Sequence, residues 1–234
     1  MNKIGIIGAM EIEVKNLIAA MTEAAKTETA NLTFYTGKLC GKNVTVVQSG
    51  VGKVNAALCA QILCREFKCD CIINTGIAGA MAQGLGIFDF VVSTAAVHHD
   101  VDVKIFGYEF GHVPGIQVRD FPADEKLIAA VEKAFAASET CKNRRLVKGL
   151  VASGDQFISS GEKKNFIKST FNAACCEMEG ASIAHACYLN QTPFVIVRCM
   201  SDMADDSAEA TYSFNEETAA AESTELMLNL IKEI

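Results

Sequence analysis

The chain has 234 residues, half of them apolar and 21% charged, with a net charge of −7. That composition is enough to bury a core. It excludes a disordered chain and argues against a main role on nucleic acid or an anionic membrane surface. No apolar run reaches the ~18–20 residues of a membrane span. The early IGIIGAM stretch meets Glu11 and Glu13 at once, so no secretory leader is read and a cytoplasmic protein is expected.

Apolar runs of strand length alternate with amphipathic stretches. Residues 3–7 read as a buried strand, and 11–23 as a helix with Val14, Leu17, Ile18 and Met21 on one side. Two short strands follow around a turn at Gly41-Lys42-Asn43, the second running over 44–49. A helix is expected over 54–67, a short strand over 71–74 closed by Thr75-Gly76, and another strand over 88–94. Residues 98–120 read as an aromatic, glycine-bearing loop, and Pro122 as the first turn of a helix to Ser138. Strands over 146–152 and 173–177, a helix over 179–189, a strand over 194–200 and a helix over 214–232 complete the chain. The alternation indicates an α/β layered sheet in one domain spanning 1–234.

The ten cysteines (40, 59, 64, 69, 71, 141, 175, 176, 187 and 199) include no CxxC pair and lie mostly in apolar surroundings. They read as reduced, buried thiols rather than zinc ligands. His98-His99-Asp100 with Asp102 invites a metal reading, but neighbours on an extended segment point to opposite faces. Neither a metal nor a cofactor is expected. Gly50-Val-Gly52-Lys53 could offer backbone N–H groups to a phosphate at a helix N-terminus, or could simply be a tight turn.

In open α/β sheets, ligands sit beyond the carboxyl ends of the strands. Glycines and carboxylates gather there: Gly8 to Glu13, Ser49 to Gly52, Asn74 to Gly79, Ser153 to Phe157, Glu177 to Glu179 and Arg198 to Asp202. Arg198 interrupts a buried strand and requires an anionic partner. Glu179 is either a helix cap or a buried carboxylate with a polar partner. Asp202, Glu13 and Glu179 with Arg198 suit glycosidic bond hydrolysis: an acid for the leaving group, a base for water, and negative charge near an oxocarbenium-like sugar. A structural ion-pair network is the competing reading.

IGIIGAMEIEV, QSGVGKVNAA, INTGIAG, HHDVDVKIFGYEFG, SGDQFI, CEMEGASIAHAC and VIVRCMSDMAD resemble, in order and spacing, the bacterial 5′-methylthioadenosine/S-adenosylhomocysteine nucleosidases. The resemblance implies a three-layer nucleoside phosphorylase-like fold, with a mixed central sheet flanked by helices, and a nucleoside substrate. Asp202 would protonate adenine N7, and Glu13 would activate water with help from Arg198. Glu179 would bind the ribose hydroxyls beside Met178. Phe157 would stack on adenine, whose edge the Ile158 backbone would read. Val51 and Phe214 would line the sugar and alkylthio side, with Met10, Ile77 and Cys176 also at the substrate. Val103, Phe106 and Pro114 would reach into the neighbouring subunit's pocket, so a homodimer in methionine salvage is implied. Ile77 departs from the usual Ser, Ala80 from the usual Gly, and the segment before Phe214 is longer than usual. A purine nucleoside phosphorylase, a futalosine-type hydrolase and a non-catalytic nucleoside-binding protein are the alternatives. The first is disfavoured because no Arg precedes Arg65 to clamp phosphate.

Overall fold

The computed structural model describes residues 2–234. In chain order the elements are β1 (Ile4–Gly8), α1 (Glu11–Ala19), β2 (Thr22–Thr29), β3 (Leu32–Leu39), β4 (Lys42–Gln48), α2 (Lys53–Arg65), β5 (Cys71–Ala80) and β6 (Phe90–His98). Then come β7 (Phe121–Pro122), α3 (Glu125–Ala137), β8 (Leu146–Ser153), α4 (Gly161–Phe171), β9 (Ala173–Glu177), α5 (Gly180–Asn190), β10 (Phe194–Asp202) and α6 (Ala208–Glu233).

The sheet is mixed. β1 pairs in parallel with β4 and with the first half of β5, while β2, β3 and β4 form an antiparallel meander. β5 also pairs in parallel with β10, and its last residues meet β9 antiparallel. Pairings of β10 with β6, β6 with β8 and β8 with β9 close these five strands on themselves. Helices cover both faces. Val14 and Leu17 of α1, Val131 of α3 and Leu226 of α6 pack in one core. Cys59 and Leu63 of α2 pack with Ile183 and Ala184 of α5 in another. The sheet between these cores makes three layers, as expected.

Several boundaries differ from the sequence reading. α1 stops at Ala19, and residues 22–29 form an edge strand rather than the end of a helix. Its side chains are almost all exposed, so the strand carries no apolar alternation. β5 continues to Ala80, because its residues past Thr75 stay paired with β10 and then with β9. Pro122 lies in β7, paired with Ala95, and is not a helical first turn. Asp124 caps α3 instead, accepting from the Lys126 and Leu127 N–H groups at 3.0 Å each. α4 was not anticipated; among its residues only Ile167 and Phe171 are buried. α6 begins at Ala208, ahead of the expected 214.

Candidate active site

A cavity of about 430 Å³ opens beyond the carboxyl ends of β1, β5, β9 and β10. Glu13, Glu179 and Asp202 all line it, with Met10, Val51, Ile77, Phe157, Cys176 and Met178. Nine of the sequence-derived residues therefore meet in one place, although they come from distant parts of the chain.

Glu13 lies in the first turn of α1 and is 5% exposed. Its Oε2 accepts from the Ala9 and Met10 N–H groups at 2.7 and 3.0 Å, and its Oε1 from the Ile77 N–H at 3.1 Å. Burial raises its pKa, against the Arg198 charge and these backbone donors. Gly76, at φ +155°, makes this approach possible: a Cβ there would lie 2.4 Å from Glu13 Oε1 and 2.9 Å from Arg198 Nη1.

Asp202 closes β10. Ser201 Oγ donates to its Oδ2 at 2.9 Å, and the Ala204 N–H to its Oδ1 at 2.8 Å. Burial is the main cause that raises its pKa. Asp205 adds to the rise, while the Ala204 N–H, the Ser201 hydroxyl and Lys164 oppose it. Neither Glu179 nor Arg198 is among the groups that set this acid.

Arg198 does not line the cavity. Its Nη2 donates to Asn74 Oδ1 at 2.6 Å and to Glu177, the buried carboxylate that its place in β10 demands. Nε and Nη1 have no partner among the described residues. Glu177 also accepts from Ser153 Oγ, and from the N–H groups of Glu179 and Gly180 at 3.1 and 2.8 Å. Burial alone would raise its pKa, but Arg198 and these donors pull it below the ordinary value. Glu177, not Glu179, thus supplies the carboxylate at the α5 N-terminus.

Glu179 turns instead to α2, where Oε1 accepts the Gly52 N–H at 2.9 Å. The turn after β4 is thereby occupied by carboxylates. Asp155 accepts the Lys53 N–H at 2.8 Å, and Lys53 Nζ pairs with Asp100 at 2.6 Å. A phosphate-loop reading of Gly50–Lys53 fails on this ground. Burial, then the charge of Glu177, raises the Glu179 pKa to about 7.

That shift has a consequence for stability. A folded-state pKa above the ordinary 4.5 means a contribution fully present below pH 4.5 and lost as pH rises through about 7. Glu179→Gln keeps an acceptor for Gly52 without the charge. It is expected to be more stable than the parent at pH 8, by about 3 kcal/mol, and so to melt higher, with the gap closing near pH 4. Differential scanning fluorimetry across that range checks this; a gap independent of pH would contradict it.

The remaining sequence-derived residues lie elsewhere. The Ile158 side chain is buried in a separate cluster with Ile167 and Phe171, outside the cavity lining. Phe214 is 87% exposed and lies outside the cavity lining. Phe106 and Pro114 are exposed on the 98–120 loop, and Val103 is half-buried. Residues not anticipated are Tyr212, Ser213, Glu209 and Ser201. Tyr212 packs edge-on against Phe157, with ring centroids 5.6 Å apart, and its hydroxyl reaches Met10 Sδ at 3.3 Å. An earlier start for α6 was the missing signal. Among the described residues no three His, Cys, Asp or Glu side chains gather as a metal site.

The family model described as "Phosphorylase superfamily" matches residues 3–233. A 5′-methylthioadenosine/S-adenosylhomocysteine nucleosidase from Anoxybacillus flavithermus is 41% identical over 232 residues, covering 99% of this chain and 98% of that one. The chain belongs to the 5′-methylthioadenosine/S-adenosylhomocysteine nucleosidase family. The structure of the family member from Neisseria meningitidis, in complex with methylthio-immucillin-A, superposes with a TM-score of 0.95 at 38% identity, over 100% of both chains. The Colwellia psychrerythraea nucleosidase, in complex with adenine, gives 0.94 at 42% identity, over 99% of this chain and 95% of that one. The nucleosidase fold extends to the cavity walls, since these matches span almost the whole chain.

Proposed function

We propose that this chain, as one domain, hydrolyses the N-glycosidic bond of 5′-methylthioadenosine and S-adenosylhomocysteine. The products are adenine and the corresponding 5-thioribose. The observation that carries the reading is the single cavity shared by Glu13, Glu179 and Asp202. Asp202, whose pKa burial raises, gives a proton to adenine N7 as the bond breaks, so that the base leaves neutral. Glu13 takes a proton from water. Arg198, buried behind the cavity wall, supports Glu13 through its charge, which opposes the rise that burial imposes on the Glu13 pKa. Glu179 accepts from the ribose hydroxyls, and the carboxylates together favour a developing oxocarbenium charge.

The same charge balance opposes phosphate as nucleophile. Five carboxylates, Glu13, Glu177, Glu179, Asp202 and Glu209, line the cavity, and the buried Arg198 is already paired with Glu177. The N–H groups of Gly52 and Lys53, at the start of α2, point to Glu179 and Asp155. A phosphate dianion finds no unopposed clamp.

A cytoplasmic homodimer acting in methionine salvage completes this reading. The exposed Phe106 and Pro114, with Val103, supply an aromatic contact surface of the kind that interfaces use.

The test is to incubate the protein separately with methylthioadenosine, S-adenosylhomocysteine, a futalosine-type nucleoside and inosine, and to quantify free base. Adenine from the first two, with little base from the others, is expected. Binding of adenine without release from any nucleoside would leave only a binding protein.

Ile77 gives a sharper prediction. It is 7% exposed, packs in the core beneath α1 and α6, and forms the cavity wall where its N–H holds Glu13. Ile77→Ser should cost about 1.5–3 kcal/mol of stability through lost burial. It should also hydrate Glu13 and shift the acidic limb of the kcat/KM profile to lower pH. An unmoved limb would separate Ile77 from the base.

A further inference from the structure

α4 places no residue in the cavity lining, yet it holds two of the segments that do. Its buried Ile167 and Phe171 share one apolar cluster with Ile158, of the segment after β8, and with Ala204, two residues past Asp202. Polar contacts from its first turn repeat the pattern. Lys163 Nζ donates to Gln156 Oε1 at 3.1 Å, the Gly161 N–H to Asp206 Oδ1 at 3.4 Å, and Lys164 Nζ to the Met203 carbonyl oxygen. The last of these lies nearest the acid, since Met203 follows Asp202 directly.

The turn held in this way is not a relaxed one. Ala204 has a φ of +50°, a left-handed conformation that an L side chain keeps only where its surroundings impose it. It is fully buried, and its Cβ fills space that Gly79 of β5 leaves open. A Cβ at Gly79 would lie 2.8 Å from that atom and 2.8 Å from Asp202 Oδ1. In this shape the Ala204 N–H turns back to donate to Asp202 Oδ1 at 2.8 Å. The direction of the carboxyl therefore depends on a backbone conformation that local preference opposes.

We propose that Lys164 is a positioning residue for the acid: by anchoring the Met203 carbonyl it holds the turn in this shape and fixes the Asp202 carboxyl. Its effect on turnover rests on Asp202 being the acid of the proposed hydrolysis; its effect on the carboxyl does not. The half-buried ammonium also acts by charge. Burial and Asp205 raise the Asp202 pKa, whereas the Ala204 N–H, the Ser201 hydroxyl and Lys164 lower it. Cys176 of β9 and Tyr212 of α6 interact with the same carboxyl, but burial raises both, so neither carries charge near neutral pH. The cavity's other carboxylates are Glu13, Glu177, Glu179 and Glu209. Loss of Lys164 removes an anchor and a positive charge, and both losses move the Asp202 pKa upward. An acid must hold its proton to act, so the basic limb of the rate profile moves to higher pH while peak turnover falls.

Lys164→Met, which keeps the aliphatic stem, and Lys164→Arg, which keeps charge and donor, test this in the full chain. Lys164→Gln carries the same prediction as Lys164→Met should the latter fold poorly. NMR titration of carbon-13-labelled aspartate carboxyls reads the acid directly and needs no substrate; the Asp202 signal is assigned by its absence in Asp202→Asn. Adenine release from methylthioadenosine reads its use. In Lys164→Met the Asp202 midpoint is expected to rise, with the basic limb of kcat/KM following it. Its kcat should fall by ~10–10²-fold with KM little changed. Lys164→Arg should restore both, and Lys164→Met should cost no further kcat within Asp202→Asn. A midpoint and limb unmoved in Lys164→Met, or a kcat loss that persists in full within Asp202→Asn, would overturn the proposal. A raised midpoint in a protein that releases no adenine would support the positioning role and sink the hydrolase reading instead.

Discussion

Asp202→Asn is expected to lower turnover of methylthioadenosine by roughly 10²–10⁴-fold while leaving adenine affinity nearly unchanged. The amide is isosteric: its Oδ1 can still accept from the Ala204 N–H, and its Nδ2 can donate to the Ser201 hydroxyl oxygen, where the carboxylate now accepts from both groups. What it lacks is a proton to give to the departing base. The loss should therefore fall on kcat, with little change in KM. Burial keeps the acid above the ordinary carboxylate range, so the basic limb of the parent's pH–rate profile should report its ionisation. Single-turnover kinetics together with calorimetric adenine titration make the measurement. Near-normal turnover in this variant would remove Asp202 from the acid role.

Glu177→Ala should be the most damaging substitution for folding, by about 3–5 kcal/mol, because it leaves the Arg198 charge buried without its counter-ion. Arg198 is 2% exposed, and Glu177 is its only carboxylate partner within ion-pair distance among the described residues. The substitution also strips acceptors from Ser153 Oγ and from the first N–H groups of α5. For a chain of this size such a loss lowers Tm by about 6–20 °C. The paired replacement Glu177→Leu with Arg198→Met should recover much of that stability without activity, because neither member of the pair is left as an unpaired buried charge. If Glu177→Ala melted within a degree or two of the parent, Arg198 would not depend on this partner.

The sequence made the carboxylates legible because each follows an apolar strand directly. Asp202 ends FVIVRCMSD, Glu179 comes two residues after AACCE, and Glu13 follows IGIIG by five. Arg198 announced a buried anion by its place in an apolar strand, but spacing could not choose among the acids nearby. Glu177 is next to β8 through its pairing with Ser153, a contact between strands that only the folded register creates. β2 and α4 escaped because both are polar surface elements held by tertiary pairing rather than by an apolar stripe. Tyr212 escaped because the acidic segment before Phe214 read as a loop, whereas α6 already begins at Ala208 and brings one more ring to the cavity. Phe214, two residues further around that helix, faces solvent instead.

Water as the nucleophile is the claim on which the account turns. The direct measurement is adenine release from methylthioadenosine in phosphate-free buffer and again with phosphate added, with the sugar product identified by mass. The account predicts equal rates and an unphosphorylated 5-methylthioribose in both. Release that requires phosphate and yields a sugar 1-phosphate would contradict it.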